Sequence, residues 1–229
     1  MTSIIKNTLG GRRGLTVKVK SAKGRKKSSV RWLQRQLNDP YVAEANRLGY
    51  RSRAAFKLLQ LDEKYNFLAK NKVIVDLGCA PGGWLQVASK KLKGTGKLIG
   101  LDILETKAVE NATIFCQDFT TDEAYQMLQD VLGEQKVDVV MSDMAANTTG
   151  HQATDHLRTL GLIEIAHHFA VEHLKEGGIF VAKVFQGGAE PQLLKIIKSQ
   201  FDKVSHFKPD ASRKDSPETY LIAQGFKCK

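Results

Sequence analysis

Cysteines, long apolar runs and signal-peptide features are scarce or absent in this sequence. The three cysteines, Cys79, Cys116 and Cys228, lie far apart and form no C-x-x-C pair. They predict reduced thiols in a cytoplasmic protein, and neither a disulfide framework nor a zinc site. No segment approaches the about 18 consecutive apolar residues that a membrane-spanning helix requires, and the N-terminus lacks the apolar stretch of a signal peptide. We therefore expect a cytoplasmic protein without membrane association.

Metal-binding histidine spacings and heptad repeats are also missing. The six histidines include no pair at positions i and i+4, so we predict no metal site. Without heptads or an obvious apolar patch, we expect a monomer. Hydrophobic residues nevertheless make up 42% of the 229 residues, which is enough for the core of one full-sized domain.

Positive charge is concentrated in the first forty residues. Residues 1–40 contain eleven of the 35 Lys and Arg residues and one of the 24 acidic residues, Asp39, and so carry +10 of the net charge of +11. We therefore predict a basic, partly disordered arm at 1–40 and a globular domain at 41–229. Such an arm suits a polyanion, because phosphate contacts supply salt-sensitive affinity. A disordered solubilising tail is the alternative.

Cations alternate with aromatic residues around the start of the globular domain. This pattern favours RNA, whose unstacked bases stack on aromatic rings. We predict that Arg51 and Arg53 contact a nucleic acid substrate. The residues that form the pattern are Arg31, Trp32, Tyr41, Tyr50, Arg51 and Arg53.

Strand and helix patterns alternate from Lys72 onward, which predicts an α/β fold with a mostly parallel sheet covered on both faces. In such a sheet, ligands bind at the carboxyl ends of the strands. The glycines Gly177 and Gly178 predict a left-handed cap for the long helix before them. The predicted strands are 73–76, 97–102, 112–116, 137–142, 178–185, 203–208 and 219–225. The predicted helices are a short one that is capped by Ser28 or Ser29 and runs to about Leu37, followed by 53–65, 84–92, 121–131, 154–174 and 189–200.

The segment 76–84 reads Asp-Leu-Gly-Cys-Ala-Pro-Gly-Gly-Trp and predicts a glycine-rich turn between a strand and a helix. Such turns let the backbone approach a ligand, and the helix start offers unpaired N–H groups. A turn without a ligand and a dinucleotide site are alternatives, but the G-x-G-x-x-G spacing is absent. The pattern resembles the S-adenosylmethionine loop of class I methyltransferases. Its Pro-Gly-Gly-Trp ending resembles the FtsJ/RrmJ family of RNA ribose 2′-O-methyltransferases.

This resemblance implies a Rossmann-like class I methyltransferase fold whose seven-stranded sheet has an antiparallel last strand. Asp102 ends a predicted strand 19 residues beyond Gly83, where an acid can accept both hydroxyls of an adenosine ribose. Asp118 can accept from an adenine amino group, or it can cap the next helix. Trp84 packs across the turn or anchors the core. The predicted cofactor contacts are Gly78, Pro81, Gly82, Gly83, Trp84, Asp102, Asp118 and Asp143, of which the resemblance implies Gly82, Trp84, Asp102, Asp118 and Asp143.

Lys183 is unusual because it lies in a strand that is otherwise apolar on both faces. Burying a lysine is costly unless it is paired or neutral. Together with Lys57, Asp143 and Glu218, it resembles the Lys-Asp-Lys-Glu tetrad of this family. Methyl transfer from a sulfonium requires an aligned oxygen and a group that removes its proton. We expect neutral Lys183 to accept that proton; alternatively, charged Lys183 orients the hydroxyl and stabilises the developing alkoxide.

One loop departs from the family pattern. After Ser142-Asp143-Met144-Ala145 the family usually has Pro-Asn, whereas this chain has Ala146-Asn147, so the loop lacks a fixed φ angle. We predict that Asn147 contacts substrate. The resemblance implies a bacterial enzyme that methylates a uridine of large-subunit (23S) ribosomal RNA in the assembled large subunit. Transfer RNA methylation and a non-catalytic RNA-binding assembly factor on the same fold are the alternatives.

Overall fold

Seven strands form one sheet in the order β3-β2-β1-β4-β5-β7-β6. The computed structural model describes residues 19, 24, 26–145, 152–185 and 191–228. The strands β1 to β5 pair with one another in parallel, and β7 runs antiparallel to both β5 and β6. This topology confirms the predicted fold. The strands are β1 (Val73–Leu77), β2 (Lys97–Asp102), β3 (Thr113–Cys116), β4 (Val137–Ser142), β5 (Leu174–Phe185), β6 (Phe201–Phe207) and β7 (Glu218–Phe226).

Helices cover both faces of the sheet. The helices are α1 (Lys27–Leu37), α2 (Pro40–Arg47), α3 (Ala54–Tyr65), α4 (Gly83–Leu92), α5 (Asp122–Leu132), α6 (Gln152–His173) and α7 (Pro191–Gln200). Ile74 packs with α3 and α4 on one face, whereas Val73 and Val75 pack with α5, α6 and α7 on the other. Successive strand residues point to opposite faces, which explains why central strands of a doubly covered sheet are apolar throughout. Among the described residues, no helix has the length and apolarity to cross a bilayer.

Two local features differ from the sequence predictions. Helix α2 was not predicted; Asp39 caps it by accepting from the backbone N–H of Tyr41 at 3.0 Å, and Pro40 occupies its first turn. The predicted cap at Gly177 is wrong, because α6 ends at His173 and the buried Leu174 already pairs with β4. Gly177, with a φ angle of 75°, lies inside β5 near an irregularity in the β4–β5 register.

The antiparallel direction of β7 brings its first residue to the edge where the parallel strands end. Glu218 begins β7 and pairs with Phe185, the last residue of β5. Residues that follow β1, β2 and β4 lie at the same edge, since parallel strands end together. Charged residues from distant parts of the sequence therefore meet there.

Candidate active site

The glycine turn after β1 packs tightly against two neighbouring segments. Gly78 and Gly82 adopt φ angles of 80° and 100°, a region that residues with a side chain rarely reach. A Cβ atom added to Gly78 would lie 2.4 Å from Cγ of Met144, and one added to Gly83 would lie 2.5 Å from Oγ of Ser52. These close approaches explain the glycines and fix the start of α4 at the sheet edge.

A cavity of about 620 Å³ opens beside this turn. Its volume falls within the range of about 300–1,000 Å³ that is usual for small-molecule sites. The turn, the segments that follow β2, β3 and β4, and one side of α6 supply its lining. Arg158 on α6, which was not predicted as a site residue, adds a cation to this lining. The cavity lies where a parallel sheet is expected to bind a ligand.

Four of the eight predicted cofactor contacts line the cavity and four do not. Trp84 is one of those that do not: its side chain is buried, and its Nε1 donates to the carbonyl of Ala54 at 2.9 Å, which favours the core-anchor interpretation of this residue. The roles of all eight residues as cofactor contacts stay predictions. The cavity lining includes Gly78, Asp102, Asp118 and Asp143 but not Pro81, Gly82, Gly83 and Trp84, which lie in the turn or beneath it.

Two carboxylates in the cavity are oriented by local hydrogen bonds. Asp102 accepts from the backbone N–H groups of Ala80 and Leu104, both at 2.8 Å. Asp118 accepts from the backbone N–H of Thr120 at 2.9 Å and from its hydroxyl at 2.7 Å, and these bonds lower the pKa of Asp118. The N-cap of α5 is Thr121, so the alternative that Asp118 caps this helix is wrong. Both acids are held at fixed positions where an adenosine could be recognised.

Asp76 is the one acid in β1, and its carboxyl is buried without a hydrogen-bond partner among the described residues. The residue is 0% exposed. Burial, and then the charges of Asp143 and Asp102, raise the pKa of Asp76 well above its usual range. Burial and the neighbouring Asp76 also raise the pKa of the Cys79 thiol to about 12. The acids that do line the cavity, Asp102, Asp118 and Asp143, suit a ligand that carries positive charge.

The unpaired state of Asp76 predicts an unusual stability effect. The pKa of Asp76 is higher in the folded chain than in the unfolded chain, which ionises this carboxyl above about pH 4, so the wild type loses stability as the pH rises above that value. Asp76→Asn removes this term. We expect the free energy of unfolding of the variant, relative to wild type, to improve as the pH rises above about 4, because only the wild type carries this penalty. Urea unfolding at about pH 4 and about pH 8 measures it.

Asp138 provides a control of opposite sign. This buried acid in β4 accepts from the backbone N–H of Val73 at 2.8 Å and pairs with Lys175 at 2.5 Å. Because its carboxylate is satisfied, Asp138→Asn should lower stability at pH 8. An Asp76→Asn variant whose stability relative to wild type does not change with pH would contradict a raised pKa of Asp76 in the folded chain.

Two ion pairs lie at the edge of the sheet. Lys183 donates to the carbonyl of Asp143 at 2.5 Å, and its Nζ lies 3.2 Å from Oδ1 of the same residue. Lys57 on α3 donates to the carboxylate of Glu218 at 2.7 Å. Lys183 is 7% exposed, as its position in an apolar strand predicts. The structure therefore brings together all four residues of the predicted tetrad.

Tyr220 joins the two pairs and was missed by the sequence analysis. Its hydroxyl donates to Oδ1 of Asp143 at 2.7 Å, and Nζ of Lys57 lies 5.8 Å from its ring centroid. Burial, and then the charges of Asp143 and Glu218, raise the pKa of Tyr220 well above its usual range, so it is a neutral donor. Its position two residues after Glu218, on the same side of β7, was the available signal.

Asp143 is the carboxylate on which this network converges. Burial alone would raise its pKa, but the ammonium groups of Lys183 and Lys57 and the hydrogen bond from Tyr220 hold the pKa of Asp143 below its usual range. Asp143 therefore stays ionised at neutral pH. It can fix the direction of Lys183 beside the cavity that it also lines.

The predicted substrate residues already have partners within the chain. The guanidinium of Arg51 donates to the carbonyls of Lys107 and Ala108, both at 2.6 Å. Arg53 donates to Asp39 and to the carbonyl of Ala211. Contacts of both arginines with RNA stay predictions, and Asn147 lies outside the described residues.

The aromatic residues of the proposed RNA pattern also have separate roles. The rings of Tyr41 and Tyr50 pack on Phe56, with centroids 5.4 Å and 5.9 Å apart. Trp32 on α1 is 50% exposed, and its contact with RNA stays a prediction. Within the described ranges, no group of three or more His, Cys, Asp and Glu side chains is arranged to hold a metal ion.

Comparison with known proteins identifies the family. The family model for FtsJ-like methyltransferases matches residues 50–226. A protein of Paramagnetospirillum magneticum named Ribosomal RNA large subunit methyltransferase E is 58% identical over 223 residues, which cover 95% of this chain and 91% of the relative. A protein of the same name from Novosphingobium aromaticivorans is 58% identical over 210 residues, 92% of this chain and 94% of the relative.

A solved structure agrees with these matches. The crystal structure of a protein described as a ribosomal RNA methyltransferase from Plasmodium falciparum has a TM-score of 0.70 and 33% identity, and the match covers 77% of this chain and 98% of that one. The cavity and its oriented acids fit the hydroxyl, amino and cationic groups of the cofactor of this family. The chain belongs to the FtsJ-like methyltransferase family, and its cofactor is S-adenosylmethionine.

Proposed function

We propose that this protein transfers a methyl group from S-adenosylmethionine to the ribose 2′-hydroxyl of a uridine in large-subunit ribosomal RNA, within the assembled large subunit. The observation that carries the proposal is the buried amine of Lys183 held against Asp143 beside the cavity. The names of the two bacterial relatives support the choice of RNA.

The cofactor supplies an electrophilic methyl group. The side chains of this protein bind the cofactor, align the ribose hydroxyl and accept its proton. Asp102 and Asp118 hold the adenosine portion through their carboxylates. The Lys57–Glu218 pair flanks the ribose hydroxyl and aligns its oxygen with the methyl carbon. In its neutral amine form, Lys183 would accept the hydroxyl proton at Nζ while the bond between the methyl carbon and sulfur breaks and the bond to the ribose oxygen forms, and Asp143 would keep Nζ in position. The same contacts support a second role, in which charged Lys183 orients the hydroxyl.

We also propose that the protein works as a monomer in the cytoplasm and that its basic arm contacts RNA. Cys79, Cys116 and Cys228 are all free thiols, which supports a reducing compartment. On α1, the exposed residues Arg31 and Arg35 accompany the half-exposed Trp32. Exposed cations beside an exposed ring support RNA contact by this helix.

A methyl-transfer assay on three RNA substrates tests the proposed function. Large ribosomal subunits, protein-free ribosomal RNA and transfer RNA, all from a strain that lacks the enzyme, are incubated with tritiated cofactor. We expect label on the large subunits, mapped to one uridine ribose. Label on transfer RNA alone would favour the transfer RNA alternative. A wild-type protein that binds subunits without transferring any label would favour the non-catalytic assembly factor.

A further inference from the structure

The loop that joins β6 to β7 brings Glu218 to the site and contacts it twice. Ser212 in this loop is 5% exposed, and its hydroxyl donates to Oε1 of Glu218 at 2.7 Å. Ser216 makes a different contact, because its oxygen accepts from the backbone N–H of Glu218 at 3.2 Å. The carboxylate of Glu218 is thus held between the hydroxyl of Ser212 and the ammonium group of Lys57.

Two side chains from the region of α3 fix this loop immediately before Ser212. Ala211 is 0% exposed; its N–H donates to Oε1 of Gln60 at 2.8 Å, and its carbonyl accepts from Arg53. Lys57 lies on the same helix. One helix therefore positions both partners of the ion pair, Lys57 directly and Glu218 through the loop.

Asp39 holds the loop immediately after Ser212. Its carboxylate, 8% exposed, pairs with Arg53 at 2.5 Å and lies 3.5 Å from Nη2 of Arg213. A buried carboxylate between two guanidinium groups is strongly favoured over a broken pair, since removing one partner leaves uncompensated charge. Ser212 is therefore bracketed by two anchored neighbours, which fixes the direction of its hydroxyl.

We propose that Ser212 is a positioning residue for methyl transfer, which aims the carboxylate of Glu218 at Lys57. This inference rests on the proposed function, in which the Lys57–Glu218 pair aligns the ribose hydroxyl. Without the hydroxyl of Ser212, the carboxylate of Glu218 can rotate, and the ammonium group of Lys57 that is paired with it loses its fixed position. Ser212 does not line the cofactor cavity, so its loss affects turnover rather than cofactor binding.

The test compares Ser212→Ala with Ser212→Thr in the methyl-transfer assay. We expect Ser212→Ala to lower kcat about tenfold, the usual effect of losing a hydrogen bond to a charged group, while the Kd for the cofactor and the KM for RNA change little. Ser212→Thr keeps the hydroxyl and should restore most of kcat. In a Glu218→Gln background, Ser212→Ala should cause no further loss, because a residue that acts through Glu218 is not additive with it.

Ser216→Ala is the matched control, since it alters the same loop without touching the carboxylate, and it should keep most of kcat. Should Ser212→Ala unfold in thermal melts, Ser212→Cys, a close isostere with a weak donor, replaces it. A Ser212→Ala enzyme with wild-type kcat overturns the inference and leaves the proposed function standing. An equal loss in the Glu218→Gln background, or a raised RNA KM alone, also overturns it. A wild type without methyl transfer overturns both.

Discussion

Lys183→Arg should lower kcat at least about 100-fold, the contribution of a general base, while cofactor affinity is retained. Arginine keeps the positive charge that pairs with Asp143 but does not release its proton at working pH, so it cannot accept one from a ribose hydroxyl. The substitution therefore separates proton removal from the electrostatic contribution of the site. Single-turnover methyl transfer gives the rate of the chemical step, and calorimetry with the cofactor gives its affinity.

Lys175→Arg is the control for this experiment. Lys175 lies in the same strand but at its far end, half-exposed and paired with Asp138. We expect this variant to keep wild-type turnover. Near-normal turnover of Lys183→Arg would exclude the base role and leave the orienting role of a charged side chain.

Asp143→Asn should reduce both activity and stability. The substitution removes the negative charge that faces Lys183 and leaves only one side-chain oxygen to accept from the hydroxyl of Tyr220. Breaking a buried ion pair costs several kcal/mol, and because 18% of the Asp143 side chain is exposed we expect a loss of about 2 kcal/mol at neutral pH. Cofactor affinity should fall as well, since Asp143 lines the cavity.

The pH dependence of this loss has a definite sign. The folded chain holds the pKa of Asp143 below its usual range, so its stabilising contribution is present above about pH 4 and is lost as the pH falls through the lowered value. The difference in unfolding free energy between wild type and variant should therefore shrink on acidification. Asp138→Asn, in the strand β4 that immediately precedes Asp143 and also paired with a lysine, should lose stability but keep methyl transfer. A constant difference at every pH would argue against an ionised Asp143.

Most of the fold could be predicted because its strands are regular. The apolar runs and the turn residues between them predicted the seven strands, and the family resemblance implied the reversed direction of the last strand. Helix α2 was missed because it spans eight residues and makes few apolar contacts, although Asp39-Pro40 is a good start signal. The cap at Gly177 was predicted because a glycine after a helix usually ends it. In the structure the chain has left the helix before Gly177, since Leu174 already pairs with β4.

The site was predicted less completely, because its hydrogen bonds join residues that are distant in sequence. Lys183 was identified because burying a lysine in an apolar strand is costly and therefore unusual. A tyrosine in a strand and a serine in a loop are common, so Tyr220 and Ser212 were not found. The predicted RNA contact of Arg51 stays a prediction, and the sequence did not reveal that its guanidinium also donates to the segment that follows β2.

The wide spacing of the tetrad along the sequence has a consequence for biosynthesis. Lys57 and Glu218 are 161 residues apart, and Asp143 and Lys183 are 40 apart, yet each pair is in direct contact. During synthesis, the polypeptide can therefore form the complete tetrad only after β7, which begins with Glu218, has left the ribosomal exit tunnel and joined the sheet. Methyl-transfer activity should thus report the fraction of chains in which β7 has joined the sheet.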